Sequence, residues 1–222
     1  MLAAQPAITY EVSMKLTVLL GCAIIMLGRT QAAPGDFAAG VRAFFEADIP
    51  KALASWDRQI ADAPDEKPLH WQRGLALYYA GKFQEGREQF EEHQKVNPQD
   101  VENAVWHFLC VARLETVEAA RKAFIPITAD PRVPMREIHA LFAGKGSEEA
   151  VLLAADPGSD PDQVRNHRCY AHLYLGLYHE ALGNAAKAKE HLTKASGEFQ
   201  MKHYMGRVAQ VHVKLRGWAP EQ

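Results

Sequence analysis

Four side chains within thirteen residues, His167, Cys169, His172 and His179, are of the types that bind transition metals. Ligands that share a metal on one helix stand three or four residues apart, whereas His167 and His172 are five apart and His172 and His179 seven. A metal centre on that segment is therefore not expected, and His179 reads as a packed, hydrogen-bonded histidine. The pair His179 and Glu180 begins like a zinc-protease helix, but the second histidine of that motif would stand where the chain has Gly183. No Gly-x-Ser-x-Gly elbow, phosphate loop or dinucleotide fingerprint occurs, and Ser55, Ser147, Ser159 and Ser196 lack the context of a nucleophile. No catalytic residue, metal or cofactor follows from these patterns. An enzyme with an unrecognised site is the third-ranked reading, because a triad scattered along a sequence leaves no local pattern.

Composition excludes further classes. Among 222 residues, 25 Lys and Arg balance 27 Asp and Glu, for a net charge of -2, and no long run of like charge occurs. Neither the basic footprint of a nucleic-acid binder nor a polybasic membrane patch is present. At the start, Lys15 precedes an apolar run from Leu16 to Leu27 and then Thr30, Gln31, Ala32 and Ala33. A charged start, an apolar middle and small residues at the cut make residues 1–32 a secretory signal peptide, with Met14 an alternative start. The run is about a dozen residues against the ~20 needed to cross a bilayer. Export to a periplasm or cell envelope is the expectation. Cys22 after Leu19, Leu20 and Gly21 offers a less favoured alternative, lipid attachment at an outer membrane, which would leave apolar Ala23 to Leu27 at the head of the mature chain. The remaining Cys110 and Cys169 fall in apolar helical patterns and read as buried small hydrophobes.

The elements that position these residues show in a self-comparison. Pro64 and Pro98 stand 34 apart, and segments 33–66, 67–100, 101–134, 135–168 and 169–202 stack without insertion. The eighth column reads Gly40, Gly74, Phe108, Phe142 and Gly176; the fifteenth reads Ala47, Gly81, Glu115, Glu149 and Gly183. The twentieth is small throughout, with Ala52, Gly86, Ala120, Ala154 and Ala188, where two helices cross. The twenty-fourth carries Trp56, Phe90, Phe124, Gly158 and Leu192, bulky in four cases. In period and in these columns, residues 33–202 resemble the tetratricopeptide family. The resemblance implies an all-α, right-handed α-solenoid of helix hairpins. Gly144, Gly146, Pro157 and Pro161 make 135–168 a degenerate unit with short helices, about Val133 to Phe142 and Ser147 to Ala155. Met201, Tyr204, Met205, Val208, Val211 and Leu215 recur every three or four residues before Gly217. Residues 203–222 are thus a capping helix and tail.

In that family the concave face is lined by fixed positions of each first helix. The resemblance places there Phe37, Val41, Phe44, Phe45, Trp71, Leu75, Tyr78, Tyr79, Leu109, Arg113, Tyr170 and Leu173. Val105 and Leu177 occupy equivalent positions. The set is aromatic, lacks the Lys and Asn clamp that some members use for a terminal carboxylate, and suits a peptide held by apolar anchors. The stretches Arg73-Gly74-Leu75-Ala76-Leu77-Tyr78-Tyr79 and Tyr174-Leu175-Gly176-Leu177-Tyr178, with Lys202 to Trp218, are also similar to the NlpI-type bacterial envelope proteins. That likeness implies an adaptor that binds a protein or peptide, such as an envelope hydrolase or protease, and that forms homodimers. The alternative is a structural factor of a multi-subunit envelope assembly.

Overall fold

The computed structural model describes residues 34–158 and 160–218. The expected signal peptide, Met14 and Cys22 lie outside the described residues. Those described are all-helical, without a strand among them: α1 (Pro34–Phe45), α2 (Ile49–Asp62), a 3-10 helix (Pro64–Leu69), α3 (Trp71–Tyr79), α4 (Phe83–Gln94), α5 (Val101–Leu114), α6 (Val117–Lys122), α7 (Met135–Phe142), α8 (Glu148–Ala155), α9 (Pro161–Ala181), α10 (Ala185–Ser196) and α11 (Tyr204–Leu215). No described helix is long and apolar enough to cross a membrane.

Local chemistry sets these boundaries. Asp48, Asp100, Thr116, Ser147, Asp160 and Asn184 each precede a helix and accept a backbone N–H from its first turn, satisfying donors that have no intrahelical partner. Between paired helices, Gly81 and Gly183 turn the chain at φ +75 and +76, and Ala47 takes the same left-handed conformation at φ +62. Glu115, which departs from glycine in that column, has φ -126 and needs no such freedom. In the fourth unit the left-handed turn falls instead on Gly144, at φ +73.

Helices adjacent in sequence pack as neighbours, α1 on α2, α3 on α4 and α9 on α10. Residues of the eighth column meet residues of the twenty-fourth. A Cβ added to Gly40 would lie 2.5 Å from Trp56, one on Gly74 2.6 Å from Phe90, and one on Gly176 2.5 Å from Leu192. Phe108 and Phe124 meet edge to face at 5.7 Å between ring centroids. Changing Gly176 to Ala should therefore destabilise the α9–α10 pair by about 1–3 kcal/mol, as overpacking does, because the new methyl also sits 3.2 Å from the Ala188 carbonyl oxygen. Urea unfolding measures this, and an unchanged midpoint would remove the close crossing from the account.

Two features depart from the stacking expected of the sequence. The boundary at 168/169 falls inside α9, because Asp160 caps that helix and Pro161 occupies its first turn. The capping helix α11 covers α10 and α9, and it also reaches α1. Lys214 Nζ donates to the Glu46 carbonyl oxygen at 2.9 Å, so the last helix is tied to the first. With Met205, Val208, Ala209, Val211, His212 and Val213 all buried, α11 hides more than one narrow stripe. At the centre, α5 is buried from Val101 to Val111, including Glu102, Asn103 and His107.

Candidate functional site

Three carboxylates gather at the N-terminus of α5, where the helix dipole and free N–H groups favour negative charge. Asp100 accepts from Glu102 N at 3.0 Å, and Asp130 accepts from Val101 N at 3.1 Å. Glu102 itself occupies the first turn. Arg132 lies among the three: its guanidinium donates to Asp100 at 2.5 Å, to Asp130 at 2.6 Å, and to Glu102. Gln99 fastens the loop that carries Asp130 and Arg132, accepting from Thr128 N and Ala129 N, each at 3.0 Å. The Tyr174 hydroxyl, from α9, donates to Glu102 at 2.7 Å.

Burial pushes the Glu102 carboxyl up to about 7, with Arg132 pulling the other way and Asp100 adding to the rise. Near neutral pH this carboxyl exchanges its proton, while Tyr174, raised well above the usual phenol range by burial and by Glu102, keeps its own.

Asp100, Glu102 and Arg132 form one side of a cavity of about 270 Å³ between α3, α4, α5 and the start of α11. Trp71, Phe90, Trp106 and Tyr204 supply its aromatic surface; Asn97, Asn103, His93, His203 and Met205 complete it. Trp106 and Asn103 are 2% and 3% exposed, yet the Trp106 indole N–H and Asn103 Oδ1 have no hydrogen-bond partner, nor has the Tyr204 hydroxyl. The three side chains line the cavity, while the unmatched atoms themselves are shielded from solvent, where a buried polar group without a partner costs about 1–3 kcal/mol.

Of the residues expected on an open concave face, Trp71 lines this cavity. Phe44, Leu75, Leu109 and Leu173 are fully buried, and Tyr78 is 3% exposed. Helix α11 covers much of the aromatic surface. Tyr204 packs on Phe44, Phe45 and Trp71, with centroids 6.2, 4.6 and 4.9 Å away, and His212 lies edge-on to Tyr79 at 5.6 Å. Arg207 stands 3.5 Å over the Phe45 ring. Phe37 and Val41 are half-buried against the core, and the Tyr170 hydroxyl meets His203 Nδ1 at 3.3 Å. Arg113 is exposed and lies over Phe83. Phe44, Leu75, Tyr78, Leu109 and Leu173, being buried, offer no surface to a partner, which corrects the expectation for these five. The chain's own amphipathic helix packs over much of this aromatic surface, and Trp71 lines the cavity beside it.

No family model matches the sequence, and no curated protein matches it.

The polar half of the cavity was missed by sequence reasoning. Its signal lay in α5, where Glu102, Asn103 and His107 interrupt an otherwise apolar run from Val101 to Val111. Polar residues on a helix hydrophobic all round are buried, and buried polar residues need partners. A second polar cluster, Glu148 with His179 and His191, lies away from the cavity, where α8 meets α9 and α10. Although partial burial pushes the Glu148 carboxyl up, hydrogen bonds from Lys187, His179 and His191 hold it down at about 2.

Proposed function

We propose that the chain is an exported adaptor of the tetratricopeptide kind, a helical-hairpin solenoid without catalytic activity that binds a segment of a partner protein in the cavity beside Trp71. What supports this most directly is the cavity itself, lined by the aromatic Trp71, Phe90, Trp106 and Tyr204 together with Asp100 and Glu102. Its charge selects the anchor. Asp100, Glu102 and Asp130 outnumber the single Arg132, so a lysine, arginine or amino-terminal group gains from the carboxylates and from the faces of Trp71 and Tyr204. The volume suits one large side chain or a chain end, with the rest of the segment on the rim.

Arrayed peptides carrying a Lys or Arg beside an apolar residue test the reading. Binding, read by tryptophan fluorescence, should fall at least tenfold when the lysine is acetylated, and likewise in Asp100→Asn. Alanine at the outer-face residues Glu91 and Lys95 should leave it unchanged. Loss from the outer-face variants with retention in Asp100→Asn would move the site to the convex face. Export predicts a mature chain beginning near Ala33 without lipid, read by mass spectrometry of the amino terminus; a diacylated Cys22 would replace that reading by membrane anchoring.

A further inference from the structure

We propose that Glu148, His179 and His191 form a binding site for a divalent first-row transition metal, zinc above all, that joins α8 to the α9–α10 pair. One ligand atom from each residue lies within 4.8 Å of the other two. His179 Nε2 stands 3.0 Å from Glu148 Oε2, and His191 Nε2 stands 3.0 Å from Glu148 Oε1. Ligands bound to tetrahedral zinc at about 2.0–2.1 Å lie roughly 3.3 Å from one another, so the two 3.0 Å pairs already stand near that separation, and side-chain adjustment within the 4.8 Å group would admit the ion. Two imidazoles and one carboxylate are a donor set that zinc accepts and that calcium or magnesium, which prefer oxygen alone, does not.

The surroundings favour the ligand geometry. His191 is held by a contact of 2.8 Å between its Nδ1 and that of His172, which fixes Nε2 toward Glu148. Such a contact on the far nitrogen is what orients a metal-bound imidazole. The rings of His179 and His191 are stacked within 13° of parallel, their centroids 5.6 Å apart, and both turn their Nε2 to the same carboxylate. The histidine side chains are 9% and 4% exposed, while Glu148 is 30% exposed, which leaves a water-accessible fourth position.

The competing occupant is Lys187, whose Nζ donates to Glu148 Oε2 at 2.9 Å. Its side chain is 47% exposed and can swing into solvent as the ion enters. The ion would also serve the fold. Helix α8 has eight residues, of which only Val151 and Ala155 are buried, so a bond from its first residue to α9 and α10 anchors an element with little apolar contact.

The experiment uses the untagged chain, freed of metal by a chelator and titrated with zinc chloride in a calorimeter and with cobalt chloride in a spectrophotometer. One ion per chain is expected, with the intense visible bands of four-coordinate cobalt and a higher melting temperature with zinc than without. Glu148→Gln, at a partly exposed position, should weaken zinc at least tenfold while keeping the helical spectrum. Lys187→Ala should bind zinc at least as tightly as the wild type, because the competing ammonium is gone. A purely structural hydrogen-bond cluster would not respond in these ways. Absence of saturable one-to-one binding, unchanged affinity in Glu148→Gln, or a cobalt spectrum of the hydrated ion would each overturn the proposal.

Discussion

Arg132→Ala should lower stability by about 3 kcal/mol. Removing one partner of a buried ion cluster costs about 3–5 kcal/mol, because the charges left behind stay desolvated. The lower end applies here, since the Arg132 side chain is 38% exposed and solvent screens part of its charge. The carboxylates are not so relieved, with Asp130 at 2%, Glu102 at 11% and Asp100 at 17% exposure. For a domain of this size the loss corresponds to a melting temperature lower by about 6–12 °C. Arg132→Lys should recover only part of it, as one ammonium cannot reach three carboxylates with the spread of a guanidinium. Adding Asp100→Asn to Arg132→Ala should restore a measurable fraction, by deleting one of the unmatched charges. A loss under 1 kcal/mol for Arg132→Ala, by urea or thermal unfolding, would mean that the cluster is held by the α5 N-terminus alone.

The contrast between what the sequence disclosed and what it hid follows from range. Helix starts were legible, because a cap and its helix are neighbours: Ser147 before Glu148–Ala155 and the stop at Gly217 are local chemistry. The contacts Gly40–Trp56, Gly74–Phe90 and Gly176–Leu192 were legible too, as columns of a period. The aromatic stripe of Phe44, Phe45, Trp71 and Tyr79 and the apolar pattern of Tyr204 to Leu215 were both visible. They are two halves of one interface, and nothing in a single sequence states that two amphipathic faces separated by more than a hundred residues are each other's partners. The Arg132 cluster was hidden for a related reason. Asp100 and Glu102 lie about thirty residues from Asp130 and Arg132, and a loop without periodicity brings them together. Likewise Glu148, His179 and His191 come from three helices, so ligand spacing along one helix could neither find nor exclude them.

Acidification should weaken the seat of α11 through His212. This residue is 0% exposed, and its pKa is lowered to about 4, chiefly by burial, with Glu180 raising it and Arg216 lowering it. The groups around it are consistent with a neutral ring. The Tyr79 hydroxyl, raised well above its usual pKa by burial, stays protonated and meets Nδ1 at 3.1 Å. Glu180 stands 3.6 Å from Nε2 and is already engaged by Arg216 at 2.6 Å and by the Tyr78 hydroxyl at 3.3 Å. Unfolded, the same histidine titrates near its ordinary value of 6.5. Between that value and about 4 the unfolded chain binds the proton that the folded chain refuses, so stability is lost as pH falls through this window. At 1.36 kcal/mol for each pH unit, the loss is on the order of 3 kcal/mol. Glu102 acts with the opposite sign: its pKa is raised when folded, so its contribution is full below about 4.5 and lost as pH rises through about 7. His172, lowered to about 4, adds to the loss in acid. The wild-type pH profile alone is therefore a sum, and the comparison that isolates His212 is with His212→Asn, whose amide can still bond the Tyr79 hydroxyl. That variant is less stable than the wild type at pH 7, by the volume it leaves empty. The difference should shrink by roughly 3 kcal/mol as pH falls to 4, because the asparagine amide does not titrate and the wild-type imidazole does. A gap between the two proteins that stays constant from pH 7 to pH 4 would show that His212 is charged or solvated in the folded chain and that α11 is not seated as described.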